Sequence, residues 1–187
     1  LTGLEFACGI PGSVGGAIFM NAGAYDGDMS QVVVSVQAFD SKSGRLVSYQ
    51  KPELDFGYRH SRFQNQPEQI ITALTLQLEN CDAQSATGKV TELTCRRESS
   101  QPLDMPSAGS VFRRPEGYFV GPLITEAGLK GYAVGGAQVS EKHSGFIVNQ
   151  GNATAADVLA LIAHIRHTIH QQKGVDLTPE YRIVGED

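Results

Sequence analysis

The chain has 187 residues, 41% of them apolar and 19% charged, with a net charge of −5 and a pI near 5.5. That composition belongs to a globular protein, neither disordered nor fibrous, and its acidic balance argues against nucleic acid as the main partner. No apolar run approaches the roughly 20 residues that a membrane helix needs.

The opening stretch "LTGLEFACGI" has no basic region and no clean cleavage site, so it is not a secretory signal. It starts on Leu and reads like the middle of a domain, which suggests a piece of a longer protein. Glycines follow at 9, 12, 15, 16, 23 and 27. "QVVVSVQAFD" reads as a strand, "SKSG" as a turn and "RLVSY" as its partner, predicting a hairpin over 31–49. "KPELDFGYRHSRF" predicts a short helical turn with irregular flanks, and 70–78 a strand. Val90, Leu93 and Arg97 at helical spacing predict a helix over 88–99. The prolines of "QPLDMP" then mark a domain boundary. Beyond it the pattern predicts a strand at 108–112, a short helix near 120–128, a strand at 145–149, a long helix at 154–173 and a last strand in "YRIV". On a helical wheel Leu161, Ile162, Ile165 and Ile169 fall within about 60° of Val158. Thr154 is placed to cap that helix, Asp157 lies in its favourable first turn, and Gly174 ends it.

Cys8, Cys81 and Cys95 form no C-x-x-C pair. They read as buried or half-buried thiols in a reducing compartment. His164, His167 and His170 fan across the polar face of the long helix and do not converge, so they make a solvated face and no metal site. The run Gly9-x-x-Gly12-x-x-Gly15-Gly16 lacks the spacing and the preceding strand of a Rossmann fingerprint. It is either a packing loop or a loop whose bare backbone approaches a flat or anionic ligand. Arg59 stands among Phe56, Tyr58 and Phe63; on the residues alone it is either a surface arginine with incidental neighbours or a partly desolvated guanidinium that would hold a carboxylate well. Ser110 has no G-x-S-x-G elbow around it. On the residues alone it is a strand-start serine beside two arginines. Gln138, Glu141, Lys142, His143 and Asn149 suit a sugar or nucleotide headgroup, and equally a solvated loop.

Together and in this order, "GIPGSVGGAIFMNAGAY", "FGYRHSRF", "QPLDMPSAGSVFRRP", "GLKGYAVGGAQVSEKHSGFIVNQGNATAADV" and "LTPEYRIVG" resemble the UDP-N-acetylenolpyruvoylglucosamine reductases of peptidoglycan synthesis. The resemblance covers essentially the whole chain. It implies a cytoplasmic flavoenzyme in which NADPH reduces FAD, and FAD then passes hydride to the enolpyruvyl ether of UDP-N-acetylglucosamine. By resemblance Arg59 stabilises the charge that develops at the substrate carboxylate, Glu180 is the acidic partner near that carboxylate, and Ser110 donates the proton to the α-carbon. Gly9, Ile10, Pro11, Gly12, Ser13, Gly15, Gly16 and Ala17 match the wall along the cofactor. Arg113, Lys142 and His143 match positions near the UDP-sugar, although Arg113 and Arg114 could equally tune Ser110 or bind phosphate.

The implied fold is α+β. Residues 1–100 would form part of a flavin-binding lobe of the vanillyl-alcohol-oxidase-like type. Residues 101–179 would form the substrate domain, and 180–187 a strand returning to the flavin region. The family's first flavin lobe should precede Leu1, so the chain alone is expected to bind FAD weakly or not at all and to be inactive. No tyrosine-bearing insert separates 78 from 88, as in the shorter, type II branch. Two alternatives stay open: a UDP-sugar binding module without turnover, and a different flavin oxidase on the same scaffold.

Overall fold

Asn21, Tyr25 and Asp26 take left-handed backbone angles, with φ of 44°, 52° and 65°. They fold the glycine-rich start of the chain tightly against itself. The computed structural model describes residues 1–185, and the chain divides into two units, Leu1–Arg97 and the part from Glu98 onward. The division falls three residues before the boundary read from "QPLDMP".

In the first unit a 3-10 turn at Glu5–Ala7 leads to helix α1 (Val14–Met20), then to the short strands β1 (Gly23–Ala24) and β2 (Gly27–Asp28). A single helical turn, α2 (Met29–Val32), feeds strand β3 (Val33–Asp40). This strand pairs antiparallel with β4 (Arg45–Gln50) on one side and β5 (Gln69–Leu76) on the other. The expected hairpin and strand are thus present, and β3 is the central strand because Val33, Val36 and Ala38 are all buried. Two 3-10 turns, Lys51–Leu54 and Arg62–Asn65, bury Leu54 and Phe63 under the sheet. Helix α3 (Ala83–Ser100) starts five residues earlier than the apolar spacing suggests. Asp82 explains the start: its carboxylate accepts from the N–H and the hydroxyl of Ser85, at 2.8 and 2.6 Å.

The second unit is a four-stranded antiparallel sheet in the order β6 (Ser107–Ser110), β9 (Phe146–Asn149), β8 (Ala137–Val139), β7 (Ala133–Val134). Helices α4 (Val120–Glu126) and α5 (Ala155–Lys173) complete it. The four residues Leu161, Ile162, Ile165 and Ile169 are buried in one cluster with Val139 and Ile147 of the sheet and Leu123 and Ile124 of α4. Thr154 and Asp157 form a reciprocal capping box, and Gly174 ends the helix at φ 66°. The histidines of the polar face go to separate partners: His164 lies flat on Tyr132 at 4.4 Å, and His170 Nδ1 meets Asp176 at 2.8 Å. Among the described residues no group of three or more His, Cys, Asp or Glu could hold a metal, and no helix is long and apolar enough to cross a membrane.

One expected element is absent. Residues 181–185 form no strand, and Glu186 and Asp187 lie outside the described residues. Pro179 makes only an isolated antiparallel bridge to Phe112. The β propensity of "YRIV" does not by itself build a strand, because a strand needs a ladder as well as suitable side chains.

Truncating Ile165 to Ala should cost about 2–5 kcal/mol, because a buried side chain is lost from a closed core. Thr154→Ala should cost about 1 kcal/mol through the lost cap. Denaturant unfolding of both variants checks the order, with the core variant the more damaged.

Candidate functional site

Helix α1 begins inside the glycine block, which the sequence presents as a loop. Ser13 is its N-cap: the Gly16 N–H donates to Ser13 Oγ at 3.0 Å. Ile10, Pro11, Gly12, Ser13, Gly16 and Ala17 line one wall of a cavity of about 540 Å³, closed by Leu4, Met20, Met29 and Leu76. Gly12 sits there at φ 140°, a conformation that side-chain-bearing residues rarely adopt. The other two residues of the predicted wall face elsewhere. Gly9 lies against the Arg97 side chain, 3.0 Å from where a Cβ would be, and Gly15 packs on Ile71.

Arg59 belongs to the same unit. It sits at the tip of a two-residue turn closed by Gly57 and His60, whose N–H groups donate to each other's carbonyls at 3.1 and 3.2 Å. Its φ is 53°, costly for a residue with a Cβ. The surroundings over-determine that conformation. Gln64 Nε2 donates to the Arg59 carbonyl at 2.9 Å, and Arg59 Nη2 donates to Gly23 O at 3.1 Å. The guanidinium carbon lies 5.0 Å from the centre of the Tyr58 ring, as its aromatic neighbours suggest. Sequence reasoning missed Asn21, which is 3% exposed. Its Nδ2 donates to Gly57 O at 3.0 Å, while its Oδ1 accepts from Ser30 N–H at 2.9 Å. It thereby ties the end of α1, whose other end lines the cavity, to the turn that carries Arg59. Its place just after an apolar helical run, where a left-handed C-cap falls, was the available signal.

In the second unit Ser110 ends β6 at a bulge. Ser107 pairs with Val148 but Ser110 with Phe146, so β6 carries one residue more than its partner. Gly109, at φ 86°, absorbs the extra residue. Such bulges re-aim the side chain that follows them. The next residue, Val111, is bonded on both sides: its N–H donates to Gly145 O at 2.9 Å, and its carbonyl accepts from Glu180 N–H at 2.7 Å. Ser110, Gly145 and Glu180 are therefore neighbours, brought from three distant stretches of chain. The Tyr181 hydroxyl donates to Gly109 O at 3.1 Å and fastens the Glu180 segment to the bulge.

His143 is half-buried edge-on to Phe146, at 4.9 Å between ring centres, and its Nδ1 accepts from Gly145 N–H at 3.1 Å. Burial holds its pKa below the ordinary 6.5, so the ring is neutral at pH 7. Lys142 is engaged within the protein: its ammonium donates to Glu98 O in the last turn of α3 at 2.6 Å. Arg113 is exposed, with its N–H donating to Thr178 O at 2.9 Å. Arg114 covers the Phe119 ring at 3.9 Å. Of the predicted residues, Ser110, Glu180 and His143 gather in the second unit, and Arg59 and most of the glycine wall are built into the first.

These features define a mixed α/β protein with an apolar, glycine-walled cavity in one unit and a hydroxyl, a carboxyl and an imidazole around a bulged strand end in the other. Comparison with known proteins is more particular. Residues 101–184 match the C-terminal domain of UDP-N-acetylenolpyruvoylglucosamine reductase. Over 187 residues the chain is 54% identical to the protein of that name in Clostridium botulinum (strain Eklund 17B / Type B), covering all of this chain and 61% of that protein. It is also 54% identical to that of Pediococcus pentosaceus, covering 62% of it. A crystal structure of the Thermus caldophilus enzyme matches with a TM-score of 0.84 and 38% identity, over 97% of this chain and 64% of that one. Residues 101–184 thus match that family's C-terminal domain, and the chain as a whole is similar to its members from end to end. It spans about 61% of the length of the curated relatives it matches.

Burial pushes the Tyr181 phenol up to about 12 from its ordinary 10. The fold favours the protonated phenol, so this contribution to stability is complete below pH 10 and is lost as pH rises towards 12. Tyr181→Phe should flatten the alkaline limb of a stability–pH profile, measured by denaturant unfolding between pH 8 and about 12.

Proposed function

We propose that this chain is the catalytic portion of a cytoplasmic reductase that converts the enolpyruvyl ether of UDP-N-acetylglucosamine to UDP-N-acetylmuramate in peptidoglycan precursor synthesis. The observation that carries the reading is the Val111 junction, which seats Ser110 beside Glu180 in a chain similar throughout its length to reductases of that name.

The first-unit cavity suits a flavin. Its volume lies in the usual range for ligand sites. Its apolar lining suits a flat aromatic system, and Gly12 and Gly16 leave main chain bare at the wall. Ile10, Pro11, Gly12, Ser13, Gly16 and Ala17 would hold the cofactor there. When bound, FAD that NADPH has reduced supplies the hydride for the β-carbon of the enolpyruvyl group.

The chain's own residues do the rest. Hydride addition leaves negative charge shared between the α-carbon and the carboxylate. The Arg59 guanidinium, locked by its turn before substrate arrives, stabilises that charge without reorganising. Glu180 sits near the same carboxylate. Ser110 Oγ, turned out by the bulge, delivers the proton to the α-carbon. Arg113 meets the diphosphate. Lys142 acts through its bond to the end of α3, positioning the loop that carries His143.

In the full-length reductase, Ser110→Ala should slow oxidation of reduced flavin by the enolpyruvyl substrate about 10²–10⁴-fold. Arg59→Ala should slow it about 10²–10³-fold. Flavin reduction by NADPH should keep its rate in both, as stopped-flow absorbance of the two half-reactions would record. A normal oxidation rate in Ser110→Ala would favour a different flavin oxidase. The partial length of the chain favours a second reading, a UDP-sugar binding module without turnover. Flavin fluorescence should show weak FAD binding by this chain alone, and tight stoichiometric binding would contradict that. Calorimetric binding of UDP-N-acetylglucosamine that is unchanged by FAD would support the module.

A further inference from the structure

Gly145 is a glycine without a conformational reason, since its φ lies outside the left-handed region. The reason is spatial. A Cβ there would stand 3.0 Å from Cε1 and 3.1 Å from Nδ1 of His143, tighter than ordinary packing, so the ring would have to shift; it would stand 3.9 Å from Ser110 Oγ. Imidazole and hydroxyl thus flank one small gap left by the missing side chain. A Cβ on Gly121, at the start of α4, would lie 3.7 Å from the same Cε1, in ordinary contact, so the tight approach is that of Gly145 alone of the two.

The Gly145 N–H fixes the protonation site. A ring nitrogen that accepts a hydrogen bond carries no proton, so neutral His143 bears its proton on Nε2. Neither Nε2 nor Ser110 Oγ has a hydrogen-bond partner among the described residues. We infer that His143 is a fixed, uncharged Nε2–H donor to the carboxylate of the enolpyruvyl substrate, and that Gly145 sets its tautomer. The inference rests on the reductase reading. If Ser110 protonates the α-carbon, the carboxylate bonded to that carbon lies within reach of a donor on the other side of the same gap. Neutrality matters chemically. An imidazolium would be a far stronger acid than the serine hydroxyl and would compete for the proton transfer, whereas a neutral N–H stabilises the developing charge and leaves the proton to Ser110.

The test uses the full-length reductase with isotope-labelled histidine, the His143 signals being assigned by their loss in His143→Gln. At pH 7 the nitrogen spectrum should show Nδ1 bare and Nε2 protonated. The Nε2 signal should move on adding the enolpyruvyl ether but not on adding UDP-N-acetylglucosamine, which has no carboxylate. The opposite tautomer, no movement with either compound, or equal movement with both would overturn the inference, the last by assigning the donor to the sugar diphosphate. In kinetics His143→Ala should lower the rate of flavin oxidation by the substrate about 10- to 100-fold. His143→Gln, which keeps an N–H donor, should recover part of it, and equal loss in both variants would count against donation. A wild-type enzyme whose reduced flavin is not oxidised by the enolpyruvyl ether would sink the reductase reading itself, while the tautomer would still be read.

Discussion

The two backbone hydrogen bonds of Val111 are the constraint on which the second unit's chemistry depends. One reaches Gly145 and the other Glu180, at 2.9 and 2.7 Å. Without them the serine before Val111 would have no fixed relation to the carboxyl 70 residues later or to the imidazole beside Gly145. Main-chain bonds of this kind are directional, and here they are backed by a core in which Val111 and Phe112 are both buried. The polar side chains are therefore positioned by an apolar layer they do not belong to. That leaves the Ser110 hydroxyl and the His143 Nε2–H without a hydrogen-bond partner among the described residues, available to something other than the protein.

The first unit solves the same problem with a buried amide. Asn21 takes a left-handed angle at the end of α1 and uses its side chain to hold Gly57 and Ser30 together. The strained Arg59 turn is thus anchored to the helix whose first residues line the cavity. A left-handed arginine is costly, and its persistence reflects how many contacts define it. Rigid placement of a cation is what a reaction that develops negative charge needs, because the electrostatic work is then done by folding. Three of the positive-φ positions, Gly12, Arg59 and Gly109, lie where chemistry is proposed.

How much of this could be read from the sequence depended on whether the signal was local. Helix α5 was legible because its apolar stripe, its Thr154–Asp157 cap and its Gly174 stop all agree. The start of α3 was not, since residues 83–87 are almost without large apolar side chains and only Asp82 marks the cap. The glycine block hid helix α1, because two glycines in seven residues lower helix propensity and Ser13 stands as a cap inside a run that reads as loop. The tail at 181–185 misled in the opposite sense, with strand-like residues that form no strand.

By itself the sequence determined the kind of chain this is: its two-part layout, the periodicities that set the main helices and strands, and long motifs particular enough to carry a resemblance to the UDP-N-acetylenolpyruvoylglucosamine reductases. Only the tertiary structure decided which candidate groups meet. It separated Gly9 and Gly15 from the cavity wall, tied Lys142 to the end of α3, and set Ser110, Glu180 and His143 around one bulge. The physical reason is that periodicity and capping act over a few residues and leave a local trace in the chain. A bulge, a gap left by a missing Cβ and a hydrogen bond across the fold exist only once remote segments have packed.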